Sequence, residues 1–203
     1  MKRNLAIAIF SAALCFSPQA FATGMYQPDG VQPVDPQGEA QHQQQDVKLP
    51  PDPEGKAEEL RLQGKCQQAL PILRSLAADD RDDIAKFNLG QCLLDLSKGV
   101  ANGQGLKREG VVWLLKAANK GLPNAQLSLV SVYLDGSGVP RDAIEAGKWS
   151  LIYHGNGMRF TIGMKDISPD LQARLDGALN EQSWIEARSR ADAWMPQTQS
   201  AED

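Results

Sequence analysis

Two cysteines and one histidine are the residues in the main part of the chain whose side chains could support nucleophilic catalysis. Cys66 and Cys92 could each supply a thiolate, but a thiolate nucleophile needs a histidine base beside it. His154 is the only histidine after position 53, and it lies far along the sequence from both cysteines. The spacing therefore predicts no cysteine–histidine pair, and we expect no catalytic residue and no enzymatic activity.

The sequence also lacks the common motifs for cofactors and metals. No glycine-rich loop precedes a Lys-Ser or Lys-Thr pair, so a phosphate-binding loop is not predicted. The acidic run from Asp79 to Asp83 lacks the alternating ligands and the final Glu of a calcium loop. We expect it to be a polar turn whose acids favour the start of the next helix. The two histidines, His42 and His154, have no cysteine cluster nearby, so we predict neither a metal site nor a cofactor.

Charge and composition exclude one class of partner. The chain has 203 residues, 42% of them hydrophobic, and a formal net charge of −4. This is a globular composition, with a length suited to one domain plus extensions. A weakly acidic chain has no basic surface for nucleic acid, and we expect none to bind.

The first 22 residues have the pattern of a secretory signal peptide. Lys2 and Arg3 precede an apolar run over residues 5–16, which is too short to span a bilayer. Ala20-Phe21-Ala22 is typical of a cleavage site, so we predict removal of residues 1–22 after Ala22. An uncleaved anchor is the alternative. The short, alanine-rich signal favours a bacterial periplasmic protein that meets the membrane only during export.

Export bears on the cysteines, because the periplasm is oxidising. Cleavage would leave two of the three cysteines, Cys66 and Cys92. An even pair in an oxidising compartment favours a disulfide, with two buried free thiols as the alternative.

Residues 23–53 are rich in Pro, Gln, Gly and Asp and poor in bulky apolar residues. Such a segment cannot bury enough surface to offset its ordering entropy, so we predict a disordered linker. A proline segment that binds a partner is the alternative.

From residue 54 onward, apolar residues recur at three- and four-residue spacing, which predicts helices. No stretch alternates in the manner of a strand, so the fold class is all-α. Ser168 followed by Pro169 predicts a helix N-cap and first turn. After a first hairpin over residues 57–77, the predicted helices cover residues 83–96, 109–120, 124–134, 143–153, 169–179 and 181–195, with an irregular stretch between the fourth and fifth of these.

An internal repeat accounts for the small and aromatic residues of the middle of the chain. Trp149 lies 36 residues after Trp113. The stretch from Ala85 to Asp95, AKFNLGQCLLD, matches AQLSLVSVYLD at an offset of 40 residues. The pattern resembles the Sel-1-like repeat, a short relative of the tetratricopeptide repeat. The residues that carry the resemblance are Trp113, Ala117, Ala118, Gly121, Ala125, Leu129, Tyr133, Gly136, Gly138, Val139, Asp142, Ala146 and Trp149. The chain departs from the family at Val130, where Gly is usual, and at Tyr153 and His154, which replace an Ala-Ala pair.

The resemblance implies a short right-handed α/α solenoid of helical hairpins over residues 54–157, with capping helices and a short tail over residues 158–203. Alanines would let helices approach closely, and Gly136 and Gly138 would permit a tight turn with positive φ. The last helix is predicted to lay an apolar stripe over the final repeat, formed by Trp184, Ile185, Ala187, Ala191 and Trp194.

The family resemblance also implies a function in protein binding. We expect a non-catalytic adaptor or scaffold that binds another envelope or periplasmic protein. The concave face of such a solenoid is lined by the first helix of each hairpin, and the outward polar candidates there are Lys86, Asn88, Gln91, Gln126, Ser128 and Ser131. An enzyme or binding protein for peptidoglycan or a small ligand is the alternative, and a structural or stress-related envelope protein is a third possibility.

Overall fold

Helices form all the regular secondary structure in the described part of the chain. A computed structural model of the protein describes residues 49–101 and 103–197. Within these ranges there are nine helices and no strand, which confirms the all-α prediction for them. The helices are α1 (Pro53–Leu62), α2 (Cys66–Ala77), α3 (Asp83–Ser97), α4 (Gln104–Asn119), α5 (Pro123–Asp135), α6 (Ala143–Gly155), α7 (Met158–Thr161), α8 (Pro169–Ala178) and α9 (Glu181–Asp192). The predicted signal peptide and nearly all of the predicted linker lie outside the described residues.

Each helix from α1 to α5 packs on the helix that follows it in the sequence. The order changes after α6, because α9 packs on α6 while α8 contacts both α5 and α6. Two groups of buried apolar side chains result. The first core lies between Ala57 and Leu93 in α1–α3, and the second core lies between Val111 and Leu179 in α4–α8 and the segments that join them.

A disulfide lies within the first core. Cys66 is the first residue of α2, and Cys92 lies in α3; the two are bonded, with their Cα atoms 5.0 Å apart. Only 3% of Cys66 and none of Cys92 is exposed. The predicted bridge is therefore confirmed, and neither sulfur is free to act as a nucleophile.

Short polar side chains define where several helices begin. The Asp142 carboxylate accepts a hydrogen bond from the Glu145 N–H at 3.0 Å, and the Ser168 hydroxyl accepts one from the Leu171 N–H at 3.3 Å. These contacts satisfy N–H groups that have no partner inside the helix. Ser168 with Pro169 in the first turn confirms the predicted start of α8.

Glycine closes the turn between α5 and α6. Gly136 and Gly138 have φ values of 68° and 81°, in the left-handed region that was predicted for this turn. A Cβ at Gly138 would also lie 2.6 Å from the carbonyl of Lys107. The turn therefore lies against the first turn of α4, and two separate constraints favour glycine at position 138.

A second pair of glycines lets α3 and α4 cross closely. A Cβ added at Gly90 would lie 2.8 Å from the carbonyl oxygen of Gly110, and a Cβ at Gly110 would lie 2.9 Å from that of Gly90. Real Cβ atoms do not come this close to a backbone oxygen, so the two helices can meet here only without side chains. The repeat pattern did not predict this crossing.

We expect Gly110→Ala to lower the free energy of unfolding by about 1–3 kcal/mol, because the methyl group would force α3 and α4 apart. Gly105→Ala is the matched control in the same helix, since a Cβ there meets nothing within 4 Å. It should leave stability unchanged or raise it by about 0.5 kcal/mol through helix propensity. Urea titration followed by circular dichroism measures both changes, and equal losses in the two variants would contradict the crossing.

The C-terminal helices cover the second core, but one residue of the predicted stripe faces outward. Ala187 is completely buried, and the Trp194 ring meets the Trp149 ring edge-on with centroids 6.1 Å apart. Ile185 is 56% exposed, so its assignment to the apolar stripe is wrong. Adjacent positions along a helix are about 100° apart around its axis, so two residues two positions apart differ by roughly half a turn. Position 185 therefore lies on the opposite side of α9 from Ala187.

Two helix boundaries and one stretch between helices differ from the prediction. Helix α4 begins at Gln104 rather than near residue 109, because Leu106 already packs against the first core from an otherwise polar first turn. The stretch predicted to be irregular contains the short helix α7. The last helix ends at Asp192 rather than near residue 195.

Candidate binding grooves

Half of the candidate partner-binding face is buried. Lys86, Asn88 and Gln126 are exposed by 2%, 5% and 0% respectively, so the prediction that they point outward is wrong. Gln91, Ser128 and Ser131 are half-buried. The physical reason is that α3 and α5 each have packed neighbours on more than one side. A polar position between core positions on these helices therefore meets another helix rather than solvent.

Lys86 has a structural role in an ionic cluster. Its Nζ lies 3.0 Å from the Asp83 carboxylate and 3.6 Å from the Asp80 carboxylate, and it donates a hydrogen bond to the Asp80 carbonyl oxygen. Lys120 donates to the Asp80 carboxylate at 3.0 Å. That hydrogen bond and the positive charge of Lys86 lower the pKa of Asp80 below its usual value. Lys86 is thus a buried charge with partners, as buried charges must be.

The amide of Gln126 joins neighbouring helices. Its Nε2 donates to the Ala118 carbonyl oxygen at 3.3 Å, and its Oε1 accepts from Asn156 at 2.9 Å. Asn156 also donates to the Gly121 carbonyl oxygen at 2.7 Å. Gln126 therefore connects α5 to the end of α4 and to the residue after α6.

Gln91 and Ser128 bond to each other across α3 and α5. The Gln91 Nε2 donates to the Ser128 Oγ at 2.6 Å, and that hydroxyl donates to the Asn124 carbonyl oxygen at 2.9 Å. These partners are internal, but both side chains remain half-buried and in reach of solvent.

Asn88 differs from the other buried candidates. Its side chain forms no hydrogen bond with any residue in ranges 49–101 and 103–197, although only 5% of the residue is exposed. It lines an open groove of about 740 Å³ between the start of α1, the end of α2 and the start of α3, here called the first groove. The residues of this groove are Asp52, Glu54, Gly55, Ala57, Glu58, Leu73, Ser75, Leu76, Asp79, Arg81, Asp82, Ile84, Ala85 and Asn88.

The rim of the first groove is acidic. Asp79 accepts hydrogen bonds from the backbone N–H and the guanidinium of Arg81, and these bonds lower the pKa of its carboxyl. Asp52 and Asp82 each accept a backbone N–H as N-caps of α1 and α3. Glu54 and Glu58 make no ion pair with another described residue, so their carboxylates are available to a ligand.

Ser128 and Ser131 line a smaller open groove of about 460 Å³, here called the second groove. It lies between α5, the end of α6 and the segment that leads into α8. Tyr153 forms part of it, and its hydroxyl donates to the Lys165 carbonyl oxygen. The Tyr153 side chain thus holds this wall of the second groove in place. The family resemblance predicts a small residue at this position. The lining residues are Leu127, Ser128, Ser131, Tyr153, Met164, Lys165, Asp166, Ser168 and Leu171.

Among the described residues, few side chains that could take part in catalysis lie close together. His154 Nδ1 lies 3.9 Å from Asp166, and Asp166 is held by Arg159 at 2.8 Å. Among the residues the structure describes, no three potential metal ligands lie close enough together to hold an ion. The described residues therefore form two open grooves, and a histidine–carboxylate contact of this length supplies no nucleophile.

Comparison with protein-family models, with curated proteins and with solved structures found no match to the chain. A helix long and apolar enough to cross a membrane is not found among the described residues.

Proposed function

We propose that the protein is a non-catalytic adaptor that binds a segment of another protein in the bacterial cell envelope. The observation that carries this proposal is the pair of open grooves between successive helices. Each groove combines apolar side chains with polar groups, which is the composition of ligand sites in general. Three of the six residues singled out from the repeat pattern, Asn88, Ser128 and Ser131, line these grooves.

The finer architecture belongs to the same proposal. We infer a short right-handed solenoid of Sel-1-like hairpins over residues 54–157, capped by residues 158–203. Support comes from the packing of each helix from α1 to α5 on its successor and from the left-handed glycines at the turn after α5. The repeat positions Trp113 and Trp149 both pack against apolar cores.

Location in the periplasm is supported by two independent features. The first 22 residues have the charged head, apolar run and small-residue site of a signal peptide. The Cys66–Cys92 bridge fits an oxidising compartment. Enzymatic action on peptidoglycan is the alternative, and no group of residues in the described part favours it.

The adaptor proposal predicts that blocking a groove abolishes capture of the partner in cells. The tagged protein would be crosslinked in living cells, and captured proteins would be identified by mass spectrometry beside an unrelated protein carrying the same signal. Ile84→Arg places a bulky charge at the edge of the first groove, and Ser131→Arg places one in the second. We expect one of them to reduce the recovery of the main partner by about tenfold or more, which corresponds to about 1.4 kcal/mol of binding energy.

Ile185→Arg is the matched control, because Ile185 is also exposed but lies outside both grooves. It should leave partner recovery unchanged. A wild-type protein that captures nothing above the unrelated control would refute the adaptor and favour screens of muropeptides and small ligands. A partner retained by both groove variants would show that the grooves do not bind it.

A further inference from the structure

The first groove carries an excess of negative charge that its own residues do not neutralise. Five carboxylates line it, against the single guanidinium of Arg81. That guanidinium is already engaged by Asp79, 3.4 Å away. Glu54 and Glu58, one helical turn apart on α1, have no cationic partner among the described residues. The five carboxylates are Asp52, Glu54, Glu58, Asp79 and Asp82.

Inside this rim the groove contains several apolar side chains. Ala57, Leu73, Leu76 and Ala85 belong to or pack against the first core and line the groove floor. Ile84 stands at the edge with 61% of its surface exposed. The apolar surface that meets water here is that of half-buried Leu76 and exposed Ile84. A ligand that offered only positive charge would leave it uncovered, so the groove suits a ligand with cationic and apolar groups together.

The amide of Asn88 is the second independent sign of a ligand. Its amide atoms retain contact with solvent, so a ligand that enters the groove can take the place of water as their hydrogen-bond partner. Asn88 lines the groove with 95% of its surface covered and no partner within the described ranges. An amide that can both donate and accept is matched by the N–H and C=O groups of an extended peptide.

We propose that the first groove binds a lysine- or arginine-rich segment of a partner protein, in which the cationic side chains alternate with apolar ones. The cations pair with Glu54 and Glu58, the apolar side chains contact the floor, and the peptide backbone bonds to Asn88. This proposal rests on the proposed adaptor function and specifies the chemistry of the partner.

Two other occupants fit less well. A metal ion would need three close ligands, and no such cluster is present among residues 49–101 and 103–197. The chain's own residues 23–48 carry four acids, Asp29, Asp35, Glu39 and Asp46, against one cation, Lys48. An acidic segment of this kind would be repelled by the acidic rim.

The test uses the purified full protein and three fluorescent peptides of equal length, measured by anisotropy. One alternates lysine with leucine, one alternates glutamate with leucine, and one alternates lysine with serine. We expect the lysine–leucine peptide to bind at least about tenfold more tightly than either of the others, because only it satisfies both the rim and the floor. Equal binding of the glutamate peptide or of the serine peptide would overturn the proposal.

Groove variants locate the site. Glu54→Gln combined with Glu58→Gln should weaken binding of the lysine–leucine peptide by about tenfold at low salt, and the difference should shrink as salt is added. The matched control, Glu59→Gln combined with Glu181→Gln, removes the same charge at two positions that do not line the groove and should not change affinity. Equal weakening by both pairs would mean non-specific attraction and would overturn the proposal.

Asn88→Ala should weaken the same peptide by about fivefold at every salt concentration, because the lost contact is a hydrogen bond between neutral groups. If this variant unfolds at the same temperature as the wild type and binds the peptide with unchanged affinity, Asn88 does not contact the ligand. That result would overturn the proposal as stated. If Asn88→Ala fails to fold, the paired glutamate variants still decide the matter.

The two proposals can fail separately. If the lysine–leucine peptide does not bind but cells capture a partner that Ser131→Arg releases, the adaptor stands and the basic-segment proposal is wrong. If no peptide binds and no partner is captured, both are wrong.

Discussion

Replacement of Trp149 by alanine should lower the free energy of unfolding by about 3–5 kcal/mol. Trp149 is 1% exposed, lies in the second core, and meets the Trp194 ring edge-on. Removing it would leave a cavity at the junction of α6 with the C-terminal helices, and the rigid neighbours could fill that cavity only in part. Urea titration of oxidised protein at neutral pH measures the loss.

The control is the same residue type at the corresponding position of the predicted repeat. Trp113 is half-buried beside the first core, with the Lys116 ammonium 4.1 Å from its ring centre. Trp113→Ala should therefore cost clearly less than Trp149→Ala, since less apolar surface returns to water. Trp149→Phe should also cost less, because it removes a buried indole N–H that has no partner in the described chain. Equal losses at positions 113 and 149 would contradict the assigned burial.

Loss of the disulfide is the other large effect we expect. Cys66→Ala combined with Cys92→Ala should lower the free energy of unfolding by about 3 kcal/mol, because the bridge closes a loop of 26 residues and restricts the unfolded chain. Urea titration of the oxidised wild type and the double variant gives this difference directly.

Reductant provides the control for this prediction. Dithiothreitol should destabilise the wild type towards the level of the double variant and leave the double variant itself unchanged. A reductant effect of the same size in both proteins would mean that the loss does not come from the bridge. An oxidised wild type no more stable than the variant would contradict a stabilising role.

Local sequence patterns predicted the helices well. The N-cap Ser168, the left-handed Gly136 and Gly138, and the cysteine bridge all follow from chemistry that acts within a few residues or from a simple count of thiols. Errors at helix ends, as in α4, arose where a single apolar residue, Leu106, extends a helix through a polar turn.

Tertiary packing accounts for what the sequence could not predict. Helical spacing places Lys86, Asn88 and Gln126 between core positions, but it does not say how many helices surround α3 and α5. The crossing at Gly90 and Gly110 depends on two glycines 20 positions apart meeting backbone to backbone. The first groove likewise combines α1, α2 and α3. Of its five acidic residues, Asp79 and Asp82 were predicted to lie in a polar turn and Asp52 in the linker.

The most direct test of protein binding through the grooves is site-specific photocrosslinking in living cells. A photoreactive amino acid would replace Ile84 at the first groove, Ser131 at the second, or Ile185 outside both. The adaptor account predicts one partner protein crosslinked on illumination from at least one groove position and not from position 185. No crosslinked partner at either groove, or the same products from all three positions, would contradict it.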